Sequence, residues 1–225
     1  MSQLKAIVGI AVLFSASTAL GYFSQAGSTS VPATNAVPES PAIWASDART
    51  PDELVAQADA VVRVQVLDRD DTYFVVPQPF QQPRTAARLA AQGQVVPRLP
   101  FTPSVLEVLE VYSGDVAVGD RIKILQTGGL VDGQKAELTD DPLYDVGTEQ
   151  LLFLRNVSSE LGDRAKAATF VTVNPAGRYR VLGDQLVVET PFIEVDPTAP
   201  PLSLSSLEGQ IRSAVQELEG PSLRQ

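Results

Sequence analysis

Val105-Leu106-Glu107-Val108-Leu109-Glu110-Val111-Tyr112, closed by Ser113-Gly114-Asp115, gives the chain its β character. An apolar run rich in β-branched residues carries two glutamates towards its polar side and ends in turn residues, so it reads as a strand. Strands of the same kind follow on both sides. Downstream, Gly119-Asp120 leads into Arg121–Leu125, and Glu149–Leu154 is so nearly continuous in its apolar residues that it predicts a central strand buried on both faces. Thr169–Val173 and Arg178–Leu182 flank Asn174-Pro175-Ala176-Gly177, and Gly183-Asp184 predicts a tight hairpin into Leu186–Glu189. Upstream, Val62, Val64 and Val66 alternate with polar neighbours in Ala60–Leu67, a half-buried strand. Many short strands with no long helix between them argue for a closed barrel or a sandwich rather than an α/β fold.

Two helices frame the strands. Thr50 followed by Pro51 and Glu53 is a capping box with proline at the first helical position, and predicts a helix running to about Asp59. Ser205-x-x-Glu208 opens a second, over about 206–219, closed by Gly220-Pro221. Its Leu207, Ile211, Ala214, Val215 and Leu218 form one apolar face, which predicts packing on the barrel.

The segment Ser104–Leu154, with VLEVYSGD (Val108–Asp115), VGDRIKILQTGG (Val118–Gly129) and YDVGTEQLLFL (Tyr144–Leu154), resembles a pattern found in uncharacterised secreted bacterial β-domains. Pro51-Asp52-Glu53-Leu54 before it and Gly177-Arg178-Tyr179 after it extend the likeness over roughly residues 50–190. That group is similar to the netrin/metalloproteinase-inhibitor type of OB-like barrel. The resemblance implies a mainly β chain: a single OB-like (netrin-like) β-barrel with a short N-terminal helix and a C-terminal helix packed on it. It implies no activity. The inhibitors of that superfamily reach a protease zinc through an N-terminal cysteine, and this chain has none.

Composition narrows the function. Without histidine there is no Ser-His-Asp, Cys-His or His-zinc chemistry, and without cysteine no disulfide and no lipid-modified cysteine. A net charge of −10 argues against nucleic acid and against electrostatic adsorption to anionic lipid. Lys5 precedes an uncharged run, Ala6–Phe23, of 18 residues. It predicts an extracytoplasmic protein, with either a signal cut after Ser17-Thr18-Ala19 or Ser24-Gln25-Ala26, or an uncleaved anchor just long enough for a hydrocarbon core of ~30 Å. The expected organisation is a leader at 1–26, a Pro/Ser/Ala-rich linker at 27–48, a β-barrel domain at 49–190 with an insertion at 77–103, a Pro-rich connector at 191–203 and a helix at 204–220. Trp44, the only tryptophan, stands near the end of the linker.

No catalytic or cofactor motif is present. Asp68, Asp70 and Asp71 form an acidic turn that would suit a cation but lacks the glycine and distal glutamate of a calcium loop. Asp140, Asp141, Asp145 and Glu149 offer paired carboxylates for a hydrolase using the 140–149 loop. Lys123 or Lys135 with a serine is a further pairing, supported by no spacing, and Asn156-Val157-Ser158 matches a glycosylation sequon. Gly128-Gly129 follows a strand and leads into no helix, so it predicts a close backbone crossing rather than a phosphate loop.

The most unusual stretch is Thr72–Leu106. It contains no Asp or Glu, although the chain has 27, and it holds Arg84, Arg88 and Arg98 with Tyr73, Phe74, Phe80 and Phe101. Thr85–Gln92 predicts a helical turn or two. Arginine and aromatics dominate binding hot spots, so Arg84, Arg88, Arg98, Phe80 and Phe101 are the expected partner-binding residues. The expectation is a non-enzymatic binding module for an acidic protein or cell-envelope partner, with membrane attachment only through the N-terminal segment. A carboxylate hydrolase and a structural envelope component are the alternatives.

Overall fold

The computed structural model describes residues 46–76, 78–96, 98–131, 134–138, 140–161, 168–189 and 202–220. The expected leader, most of the expected linker with Trp44, and most of the expected 191–203 connector lie outside the described residues. No helix among the described residues is long and apolar enough to cross a membrane.

The chain is mainly β. Helix α1 (Pro51–Gln57) starts as its sequence requires: Thr50 Oγ1 accepts from Glu53 N, while the Glu53 carboxylate accepts from the Thr50 and Arg49 N–H groups. The strands β1 (Ala60–Arg69), β3 (Leu99–Gly114), β4 (Arg121–Val131), β6 (Glu149–Asn156) and β7 (Thr169–Thr172) pair in the order β1-β3-β4-β7-β6. β6 then pairs back onto β1, Leu152 opposite Val62, so the hydrogen-bonded circuit closes on itself. Neighbours are antiparallel except β4 and β7, which run parallel. β8 (Arg178–Leu182) pairs the same edge of β6 that β7 uses further along, and turns through Gly183 into β9 (Gln185–Val188).

Alternation along β6 places two cores on its two sides. Leu152 and Leu154 point into the circuit with Val62, Val64, Leu106, Ile122, Ile124 and Phe170. Leu151 and Phe153 point outward, against Leu54 and Val55 of α1 and Leu207 and Ile211 of α5 (Leu204–Glu219). A strand apolar on both faces is therefore a strand buried on both, as its sequence predicted. The start of α5 corrects the sequence reading: Ser203, not Ser205, caps the helix, its Oγ accepting from Ser206 N at 3.1 Å. Leu204 then joins the buried face, so the apolar pattern begins one turn earlier than the Ser205-x-x-Glu208 signature indicated.

β3 is a second correction. It runs 16 residues, from Leu99 rather than Val105, through Pro100 and Pro103. Its first half belongs to an arm. β2 (Tyr73–Val75) pairs with it, Tyr73 opposite Phe101, and β5 (Gln134–Glu137) pairs with the far end of β4. Between β2 and β3 lie α2 (Gln78–Gln81) and α3 (Pro83–Ala91), and a single turn, α4 (Ser158–Leu161), follows β6. Gly128 and Gly129 turn the arm at φ +121° and +148°. A Cβ on Gly129 would fall 2.1 Å from Thr72 Oγ1 and 2.4 Å from Thr102 Oγ1, so the close crossing read from the sequence is what glycine permits here.

Candidate functional site

Two polar constellations stand out, one on the arm surface and one buried.

The arm carries the residues expected to bind a partner. Helix α3 buries Leu89 and turns Arg84 and Arg88 outward, four residues apart and therefore on one face. Arg98 is exposed just before β3. Phe80, in α2, is half-buried, and Phe101 is half-buried on β3 with its ring 6.3 Å from that of Tyr73. Phe101 is thus occupied in holding the arm together. The aromatic that the arm presents instead is Phe74, 46 % exposed, with Val95 and Leu130 exposed elsewhere on the same extension. The alternation of β2 could have found it: Tyr73 and Val75 share one side, and Phe74 takes the other. The root of the arm is fixed by hydroxyls. Thr72 and Thr102 share a hydrogen bond of 2.9 Å, Thr102 Oγ1 donates to Gly128 O, and Leu130 N donates to Thr72 Oγ1.

The buried constellation centres on Arg178, 1 % exposed on β8 opposite Leu152 of β6. Its Nη1 donates to Asp141 at 3.0 Å and to Pro142 O, and its Nη2 donates to Glu189 at 3.2 Å. The Tyr144 ring lies 4.0 Å from the guanidinium carbon. Gln126 completes the clasp, donating to Pro142 O and accepting from Tyr144 N. Side chains therefore hold down the 141–144 segment, which has only one isolated β-bridge of its own, Leu138 with Asp141. Burial pushes the Asp141 carboxyl up to about 6 against the opposing pull of Arg178, and raises the Tyr144 hydroxyl as well. Burial opposes the charge of Arg178, but Tyr144, Asp141 and Glu189 together raise its pKa, so it stays a cation.

This clasp accounts for Asp141 of the acidic 140–149 group. Asp141 is engaged by Arg178, whereas Glu149 is engaged by Arg63 at 2.8 Å on the outer side of β1. Different arginines on different strands hold the two carboxylates, while Asp145 is exposed in the turn before β6. Arg63 also reaches Glu110, which Arg212 of α5 meets from the other side, and Tyr112 donates to Glu208 at 2.6 Å. The ladder ties α5 to the outer face of the sheet. Sequence reading did not find Arg178, because a lone arginine in Gly-Arg-Tyr carries no mark of burial.

The remaining candidates are accounted for singly. Asp70 pairs with Lys123, Asp68 accepts from Arg69 N, and among the described residues no three His, Cys, Asp or Glu side chains converge on a metal position. Lys123 is thereby a structural cation; the side chain of Lys135 lies outside the described residues. Asn156 is exposed at the end of β6 and its Oδ1 accepts from Ser158 N. No protein-family model matches the sequence, and no curated protein matches it either.

Proposed function

We propose that this chain is a non-enzymatic, extracytoplasmic interaction module that meets an acidic partner through the arm formed by β2, α2, α3 and the start of β3. The acid-free composition of residues 72–106 carries this reading: in a chain of net charge −10, these 35 consecutive residues hold no carboxylate and project Arg84, Arg88, Arg98 and Phe74 into solvent. Ordered elements, rather than a floppy connection, present these side chains, which lowers the entropic cost of docking. The leader at 6–23 supports an extracytoplasmic site of action. The closed circuit β1-β3-β4-β7-β6, with its parallel β4–β7 pair and helices at both ends, supports an OB-like barrel of the netrin type as the scaffold.

Capture of envelope proteins on the immobilised chain tests the reading. A chain with Arg84, Arg88 and Arg98 all reversed to Glu should keep its circular dichroism spectrum and lose its specific partner. A partner set unchanged by those reversals and by removal of residues 77–98 would overturn it.

A further inference from the structure

Charge is segregated along the molecule as well as along the chain. Against the carboxylate-free 72–106 segment of the arm stands the α1/α5 end, where residues 46–59 and 202–220 carry seven acidic side chains and two arginines. Between those two helices runs a groove of about 580 Å³, with Asp52 and Glu217 among its walls and Gly209 and Ser213 on its α5 side. Helix α3 is its counterpart in shape and sign: nine residues long, with Arg84 and Arg88 exposed among Ala87, Ala90 and Ala91. Small residues on both surfaces let two helix backbones approach closely.

Strand β3 fixes the distance between the two surfaces. Its Phe101 pairs with Tyr73 in the arm, and its Tyr112 bonds Glu208 of α5. Eleven residues of strand at ~3.3 Å each separate these contacts by up to roughly 36 Å along β3. The arm of one molecule is therefore remote from its own groove. Two molecules laid antiparallel bring each arm to the other's groove, and this closes as a two-fold dimer with two equal contacts.

We propose that the acidic partner of the arm is a second copy of this chain, with α3 of each copy seated in the α1/α5 groove of the other and Arg84 and Arg88 facing Asp52 and Glu217. This rests on the interaction reading above and names its partner.

The absence of native cysteine gives a direct test with the full chain. Arg88→Cys and Ser213→Cys variants, distinguished by tag mass, are mixed under mild oxidation. Docking raises the effective concentration of the two thiols, so the mixed disulfide should form at least about ten-fold faster than either variant alone dimerises. Salt at about 1 M, where screening falls to about 3 Å, should slow it. Adding Arg84→Glu to the first variant should abolish the advantage, and pairing that with Asp52→Lys and Glu217→Lys on the second should restore it. A mixed disulfide no faster than the two homodisulfides overturns the proposal. If, at the same time, a different acidic protein is still captured through Arg84 and Arg88, the interaction reading stands and only the second copy fails; loss of both removes both.

Discussion

Replacing Arg178 with Met is the sharpest test of how this fold is held at its polar end. The side chain is 1 % exposed and binds Asp141, Pro142 O and Glu189 at once. Methionine fills much of the volume, and Glu189 retains Arg180 at 3.1 Å, so the main loss falls on Asp141, buried and without its cation. Breaking a buried pair from one side costs about 3–5 kcal/mol, against a total stability of ~5–15 kcal/mol. At about 2–4 °C per kcal/mol for a domain of this size, the melting temperature should fall by roughly 6–20 °C. The cost should also depend on pH in a stated direction. Without Arg178 the Asp141 carboxyl, already at about 6, rises further and takes up a proton near neutrality, which relieves the stranded charge. Urea unfolding at pH 8 should therefore show a larger penalty than at pH 5.5, and the double variant Asp141→Asn/Arg178→Met should recover part of it. A penalty below about 1 kcal/mol, or one equal at both pH values, would refute the account of Arg178 as the cation that makes a buried Asp141 tolerable.

Three further outcomes follow from the geometry. Because the folded pKa of Asp141 is raised from an ordinary 3.8 to about 6, the folded state holds that proton more tightly; its contribution is present at low pH and is lost as pH rises from about 4 to about 6. Wild type should therefore lose up to about 3 kcal/mol relative to Asp141→Asn across that window, measured by urea unfolding at pH 4 and pH 7. Gly129→Ala forces a Cβ onto the Thr72 and Thr102 hydroxyls at a φ that L residues rarely adopt, and should cost about 1–3 kcal/mol in thermal unfolding, with protease nicking of the arm ahead of the core. Leu152→Asp places an unpaired carboxylate inside the strand circuit, so its circular dichroism spectrum should be that of an unfolded chain; a cooperative melt would show that Leu152 is not in the core.

What the sequence disclosed and what it withheld divide along a physical line. Local rules were legible wherever one segment carries its own signal. The Thr50–Glu53 box, the doubly apolar Leu151–Leu154 and the Gly183 hairpin each obey energetics confined to a few neighbours, and each stands where it was read. The early start of β3 was hidden because Pro100 and Pro103 are turn and edge residues on local grounds. They lie within β3 because β2 and β4 supply partners from 26 residues upstream and 22 downstream, Phe74 for Pro100 and Leu125 for Pro103. The same reasoning separates the two polar sites. The arm was visible because a missing residue type shows in one continuous stretch. The Arg178 clasp was not, since Gln126, Asp141, Tyr144, Arg178 and Glu189 come from across 64 residues and meet only after the circuit closes. Asp141 and Glu149 look like a catalytic pair in the linear order because they are eight residues apart. In three dimensions each is held by a different arginine, Arg178 and Arg63, and it is burial, opposed by Arg178, rather than a neighbouring carboxylate eight residues along the chain, that dominates the protonation behaviour of Asp141.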